Sequence, residues 1–456
     1  MSNVGALPTI ATAARQLRNG ATTSRELTTA CLERITELNS RLNAFITVLG
    51  DRALADAEAA DRELAGGMDR GPLHGIPLSL KDLIDLAGSP TTAASRLRQG
   101  DIAERDAPVV DRLRQGGAIF VGKCNLHEFA YGTTSEDSAF GPVRHPLDPN
   151  RSAGGSSGGS AVAIATGMSF ASVGTDTGGS IRIPAALCGI VGLKPTYAEL
   201  PLSGIVPLSA SLDHVGPMAR SVEDAWILFN VMKGQGAQTI ERPALDLRRT
   251  RFGVPRSYFF DILDDDVRRS FEERVKHLQT SGAEVQDVWI PHAADAPPIY
   301  LHIQAPEAAS VHARSLERQP DAYTPNVRWR LEAGRYLLAE DYVRAQRGRL
   351  VLRREVDAIL RTCHALLLPT VPIPAPPLGA VEATVGDRKE LVRGVMLRLT
   401  QLFNLTGNPV ISIPAGATAS GLPCGLQIVG RRGATEELLE IATSCENMGS
   451  DPITES

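Results

Sequence analysis

Two glycine-rich motifs that contain serines enclose an apolar segment between Arg151 and Pro184, and this stretch constrains the fold most. The motifs read GGSSGGS (154–160) and DTGGSIR (176–182), and the segment between them is AVAIATGMSFASVGT. That segment is apolar and rich in small residues, which predicts a place in the packed core. A Gly-Ser run alone is typical of a flexible linker. Flanked by buried structure, the two motifs instead predict one site that presents hydroxyls and backbone N–H groups to a carbonyl.

The rest of the chain alternates between helical and strand patterns. Helices are predicted over 8–66, 105–115 and most of 305–362, and strands over 76–80, 118–121, 365–372 and the segments PVISIPAG and CGLQIVG. The polar, turn-rich residues 125–150 predict a long surface loop. This alternation predicts the α/β class with one large mixed sheet.

Length and composition exclude several classes of protein. The chain has 456 residues, and length alone favours about three domains. No boundary is evident, so we expect one domain over 1–456: N-terminal helices (1–70), a catalytic core (71–245) and the remainder of the sheet with pocket helices (246–456). A net charge of −5 favours neither nucleic acid nor a membrane surface as partner. Six scattered cysteines, nine unclustered histidines and no signal peptide predict a cytoplasmic protein without metal or cofactor.

A lysine at the end of a short strand completes the candidate chemistry. If Ser180 attacks a carbonyl, it needs a base, and no histidine lies beside either serine motif. Lys81 follows the apolar run Ile76–Leu80, where it either extends to solvent or is held in a dry site with a lowered pKa. Bringing that pKa from about 10.4 to about 7 costs roughly 4–5 kcal/mol. A neutral Lys81 could act through the Ser156 hydroxyl, while backbone N–H groups of Thr177–Ser180 face the oxyanion.

These motifs together resemble the amidase signature family of serine hydrolases over nearly the whole chain. The matching segments are HGIPLSLKDLIDLAG, NLHEFAYGTTSEDSAFGP, RSAGGSSGGSAVAIA, VGTDTGGSIRIPAALCGIVGLKPT, GIVPLSASLDHVGPMARSVEDA, LLLPTVPIPAP, NLTGNPVISIPAG and LPCGLQIVG. The resemblance implies a single α/β domain around a large, twisted, mixed sheet covered by helices on both faces.

The resemblance also implies a role for each matching residue. Lys81 matches the catalytic lysine, Ser156 a bridging serine on a cis peptide bond, and Ser180 the nucleophile that forms the acyl-enzyme. The residues that match the oxyanion loop are Thr177, Gly178, Gly179 and Ser180, and those that match supporting polar positions are Ser157, Asp176 and Arg182. Tyr131, Gly132 and Thr133 match a loop that lines the acyl pocket and are expected to contact substrate.

Three other interpretations stay open. GGSSG also fits the GxSxG nucleophile elbow of α/β-hydrolases, which would make a histidine such as His302 or His364 indispensable. An inactive scaffold protein is a second interpretation. The third is the glutaminase component, called the A subunit, of a glutamine-dependent tRNA amidotransferase. That branch carries an aspartate for the glutamine amino group seven residues before the position of Asn404, where this chain has Leu397, and its Arg-Tyr-Asp-Gly motif is missing.

The predicted function is therefore that of a stand-alone hydrolase of small carboxamides, which also opens anilides, esters and carbamates through the same acyl-enzyme. The expected partner is a small amide or related acyl substrate, and the expected state is a monomer or homodimer. Residues 300–345 and Leu397–Phe403 are expected to shape the leaving-group side. The apolar residues in and beside the latter segment (Met396, Leu397, Leu399, Leu402, Phe403) fit either a hydrophobic substrate or an ordinary core helix.

Overall fold

The computed structural model describes residues 7–235 and 245–447. The start of the N-terminal segment, in which no signal peptide is predicted, lies outside these residues. The strands are β1 (Phe45–Val48), β2 (Pro77–Lys81), β3 (Ile119–Cys124), β4 (Ala171–Asp176), β5 (Val191–Lys194), β6 (His214–Ala219), β7 (Arg251–Pro255), β8 (Glu284–Val288), β9 (Ala365–Pro369), β10 (Glu382–Val385), β11 (Arg388–Leu391), β12 (Val410–Ala417) and β13 (Pro423–Val429).

The helices surround these strands. They are α1 (Ile10–Arg18), α2 (Ser24–Leu42), α3 (Gly50–Ala65), α4 (Pro108–Gln115), α5 (Gly158–Ala165), α6 (Arg182–Cys188), α7 (Val222–Lys233), α8 (Asp265–Thr280), α9 (Ala296–Arg318), α10 (Pro325–Gly334), α11 (Ala339–Ile359), α12 (Val392–Leu397), α13 (Gln401–Thr406) and α14 (Thr435–Asn447). Among the described residues, no helix has both the length and the apolar character needed to cross a membrane.

One mixed sheet of eleven strands forms the centre of the described structure, in the order β1-β3-β2-β4-β6-β5-β12-β13-β9-β7-β8. β2 runs parallel to both β3 and β4, whereas β12 and β13 form an antiparallel hairpin between β5 and β9. Strands β2, β3, β4 and β9 are buried along their whole length, as expected where both faces of a sheet are covered. This architecture confirms the predicted fold class.

Parallel pairing of β2 with β4 sets up the site. Leu80 lies opposite Val173, so the carboxyl ends of the two strands emerge side by side. β2 ends at Lys81, and β4 ends with Thr175 and with Asp176, the first residue of the second glycine-rich motif.

Local sequence explains several element boundaries. Thr23 caps α2 in a complete capping box with Glu26. The predicted helical region 8–66 is wrong in one place, because β1 interrupts it and pairs antiparallel with β3. The predicted surface loop is also wrong in part: residues 125–133 are buried, and their backbone lies against the first serine motif.

Candidate active site

Lys81 lies inside the protein with no exposed surface, so it does not extend to solvent. Its Nζ is 2.7 Å from the Ser156 Oγ and 2.8 Å from the Thr175 Oγ1. An uncharged amine can accept the Ser156 hydroxyl proton and donate to the Thr175 hydroxyl at the same time. The distances are thus compatible with a neutral lysine, and they add Thr175, which the sequence reasoning missed, as its second partner.

Burial is the main cause of a low pKa at Lys81. Removal from water disfavours the ammonium form and lowers the pKa from its ordinary value of 10.5 to about 7, against the opposing charges of Asp176 and Asp213. A group with this pKa exchanges its proton readily near neutral pH, which is what a general base requires.

The first serine motif turns sharply before α5. The Gly155–Ser156 peptide bond is cis, and Gly154 has φ +76°, where a Cβ would lie 3.0 Å from Pro184. The Ser156 carbonyl accepts hydrogen bonds from the His127 backbone N–H and from the Ser135 hydroxyl, both at 3.1 Å. These contacts fix Ser156 in front of Lys81.

The second motif meets the first through Ser157. The Ser157 N–H donates to the Ser180 carbonyl at 3.2 Å, and its hydroxyl donates to the Thr175 carbonyl at 3.3 Å. Ser180 is 7% exposed. Gly179 has φ +141°, and a Cβ there would overlap the Thr400 hydroxyl. Glycine is thus required where the loop passes closest to its neighbours.

Asp176 and Arg182, the first and last residues of the second motif, stabilise the loop between them. They form a bidentate ion pair with both N–O distances at 3.0 Å, and neither side chain is exposed. The Arg182 guanidinium, with burial opposing it, holds the pKa of Asp176 below its usual range. Arg182 also donates to the Thr400 carbonyl, to the Asn404 side chain and to Gln427. The supporting partners from the last third of the chain were not predicted.

Asp213 is a further residue that sequence reasoning missed. Its carboxylate accepts the Thr177 hydroxyl at 2.6 Å and the backbone N–H groups of Leu208 and Ser209 at 2.9 and 3.0 Å. Burial raises its pKa to about 6 despite these hydrogen bonds. Asp213, Thr175 and Thr177 line a cavity of about 120 Å³ whose other walls are mainly apolar. The motif DTGGS gave no sign of this partner, which lies 36 residues beyond Thr177.

The predicted substrate loop is buried beside the two motifs. Tyr131 is 3% exposed, its carbonyl accepts a hydrogen bond from Arg330 at 2.7 Å, and the Arg393 guanidinium carbon is 5.5 Å from its ring centroid. A Cβ at Gly132 would overlap the His127 ring. Thr133 lines a second cavity of about 420 Å³.

The two segments expected on the leaving-group side meet the predicted oxyanion loop. A Cβ at Gly178 would lie 2.5 Å from the Tyr300 hydroxyl and 3.0 Å from Leu397, and Thr400 donates to the Gly178 carbonyl at 2.5 Å. The apolar residues of this segment are buried (Met396, Leu397, Leu399, Leu402, Phe403). These residues therefore belong to the hydrophobic core, and Leu397 also packs at Gly178.

The histidines required by the nucleophile-elbow interpretation have other partners. The His302 ring bonds to the Pro298 carbonyl within its own helix, and the His364 ring accepts the Arg251 backbone N–H. Neither contact involves Ser156. The geometry thus favours a lysine rather than a histidine beside that serine.

Comparison with known proteins identifies the family. The Amidase family profile matches residues 26–439. An amidase from Pseudomonas putida is 38% identical over 91% of this chain and 90% of that protein. The A subunit of the glutamyl-tRNA(Gln) amidotransferase from Roseiflexus sp. (strain RS-1) is also 38% identical, over 96% of both. The crystal structure of an amidase superposes with a TM-score of 0.91 at 40% identity, covering 96% of this chain and 99% of the other. The chain therefore belongs to the amidase family and is an amidase-signature hydrolase.

Proposed function

We propose that this protein is a stand-alone amidohydrolase that cleaves small carboxamides through an acyl-enzyme on Ser180. Neutral Lys81 takes a proton from the Ser156 hydroxyl, which takes one from Ser180, and the Ser180 oxygen adds to the carbonyl carbon. Backbone N–H groups of Thr177–Ser180 stabilise the resulting oxyanion. The proton returns through Ser156 to the nitrogen as the C–N bond breaks, and water then releases the acid by the same steps.

The observation that carries this proposal is the placement of the Lys81 amine. It is fully buried, has a pKa of about 7, and lies 2.7 Å from a serine hydroxyl whose motif is hydrogen-bonded to that of Ser180. Anilides, esters and carbamates present the same acyl carbon to this arrangement, so they are proposed as further substrates.

The amidotransferase component is the alternative, and its support is the 38% identity to the Roseiflexus protein of that name. Leu397 argues against it. The Leu397 side chain packs at Gly178. The amidotransferase branch has an aspartate at this position, which binds the amino group of glutamine. Leucine has no charge with which to bind that group. We therefore propose that free glutamine is a poor substrate.

The test uses purified protein without partners, supplied separately with butanamide, 4-nitroacetanilide, an aryl carbamate and glutamine. Hydrolysis of the first three, lost in Ser180→Ala and nearly lost in Lys81→Ala, supports the proposal. Exposed Ser203→Ala and Lys276→Ala are matched controls that should retain turnover. Glutamine hydrolysis alone, or turnover that survives Ser180→Ala, contradicts it.

A further inference from the structure

The 420 Å³ cavity next to the predicted substrate loop contains two arginines. This cavity, called here the arginine pocket, is lined by residues that include Thr133, Asp137, Trp329, Arg330, Val381 and Arg393. Its wall comes from three separate parts of the chain: the loop after β3, helix α10, and the β10–β11 hairpin with the start of α12. It is therefore a built cavity rather than a gap within one loop.

Neither arginine has a carboxylate of the described residues within ion-pair distance, although the charge of Asp137 acts on Arg330 from further away. Arg330 donates to the Tyr131 carbonyl, and Arg393 lies against the Tyr131 ring, with its buried Nε lacking a hydrogen-bond partner in the described part of the chain. Burial, together with the charge of Arg393, lowers the pKa of Arg330 to about 10, so Arg330 remains cationic at neutral pH. The two neighbouring cations repel each other, the charge of Asp137 offsets this only at Arg330, and a further anion between them would relieve the remaining repulsion.

The acidic residues in the arginine pocket have other partners. Asp137 lies 3.1 Å from the His127 ring and accepts from the Asn326 amide at 3.2 and 3.3 Å. Glu136 accepts the Gly379 backbone N–H at 2.7 Å, and burial raises its pKa. Burial likewise keeps the pKa of His127 low, so it adds little positive charge.

Two helices connect the arginine pocket to the oxyanion loop. Arg393 and Leu397 lie one turn apart on α12, roughly 6 Å along the axis, and Leu397 packs at Gly178. On α9, Tyr300 lies at Gly178, and the fully buried Gln304, one turn further on, lies beside the Tyr131 hydroxyl. Arg393 and the residue that packs at the predicted oxyanion loop therefore lie only one helical turn apart on α12.

We propose that the arginine pocket binds a carboxylate on the substrate, so that the preferred amides carry an anionic group at the end away from the scissile bond. Guanidinium groups match the planar carboxylate and bind it through paired hydrogen bonds. The substrate class is that of the monoamides of dicarboxylic acids. This inference rests on the proposed function and assigns the chemistry of its acyl side.

The test compares the monoamides of succinic, glutaric and adipic acid with neutral methyl ketones of the same shape: 4-oxopentanamide, 5-oxohexanamide and 6-oxoheptanamide. In the wild type, kcat/KM for at least one acid should exceed that of its ketone by about 10- to 100-fold, the value of a charged hydrogen bond. Arg393→Gln should bring that ratio close to one, and Arg393→Lys should leave an intermediate ratio. Arg388→Gln is the matched control. Arg388 lies on the β10–β11 hairpin just before Arg393, but it is exposed, so this variant should keep the wild-type ratio.

A binding measurement separates this inference from the proposed function. Succinate, glutarate and adipate are added to Ser180→Ala and to Ser180→Ala/Arg393→Gln, and thermal shift is recorded. A rise in melting temperature of Ser180→Ala but not of Ser180→Ala/Arg393→Gln supports carboxylate binding in the arginine pocket, even if no amide is hydrolysed. Equal ratios for acids and ketones in active wild type, or equal shifts in the two variants, overturn the inference while the amidase proposal stands. If Arg393→Gln does not fold, Arg330→Gln takes its place in both experiments.

Discussion

Acidification below pH 7 should stop turnover by protonating Lys81. Burial lowers the pKa of this amine from 10.5 to about 7, a change that corresponds to roughly 5 kcal/mol of preference for the uncharged form. Each pH unit below 7 reduces the uncharged fraction about tenfold, so kcat/KM at pH 5 should be about one hundredth of its plateau above pH 8. Protonated Lys81 has no free electron pair with which to accept the proton of the Ser156 hydroxyl.

The assay is ammonia release from butanamide at constant ionic strength between pH 5 and 9. Butanamide does not ionise in this range, so the profile reports groups on the protein. Thermal melting at each pH confirms that the enzyme stays folded. A rate that is flat between pH 5 and 8 would refute the assignment of Lys81 as the base.

Four further substitutions test the surroundings of the site. Between pH 7 and 10.5 the unfolded chain binds a proton at Lys81 that the folded chain lacks, so the free energy of unfolding should rise with pH, by about 2 kcal/mol from pH 7 to 9. Urea unfolding of Lys81→Met, which cannot titrate, should show a rise smaller by this amount, and equal rises would contradict the lowered pKa. Asp213→Asn removes a negative charge that raises the pKa of Lys81, so the acid limb of kcat/KM should move to lower pH. Gly132→Ala should lower turnover, because its methyl would overlap the His127 ring, and crystallography should show a displaced loop. Arg182→Met leaves a buried carboxylate without its ion pair and should cost about 3–5 kcal/mol in urea unfolding.

Sequence alone could predict the parts of the site that are local. Lysine after the apolar run 76–80 and serine within glycine-rich motifs are visible in a few consecutive residues, and the structure brings Lys81 and Ser156 into contact. The family and the fold class, both predicted from these motifs, are confirmed. The catalytic roles of Lys81, Ser156 and Ser180 stay predictions.

The parts that sequence could not predict depend on distant contacts. Thr175 is an ordinary strand residue until parallel pairing places it beside Lys81, and Asp213 becomes a partner of Thr177 only through β6 and its preceding loop. Arg393 follows the β10–β11 hairpin, which the sequence did not suggest. Its proposed role in anion binding becomes visible only when the fold places it against the Tyr131 ring. Residues 125–133 look polar enough for a surface loop, but the fold buries them and satisfies backbone N–H groups internally: His127 donates to the Ser156 carbonyl and Glu128 to the Asp137 carbonyl.

The position of the β12–β13 hairpin bears on how the enzyme is made. Strands β1–β6 and strands β7–β9 touch within the sheet only through this hairpin, which the ribosome synthesises after all the other strands of the described structure. This hairpin and the residues just before it also supply the Arg182 partners Thr400, Asn404 and Gln427. A nascent chain that has emerged only as far as residue 390 therefore holds two half-sheets that are not yet joined and lacks three partners of Arg182, so hydrolytic activity should begin only after residue 429 has emerged.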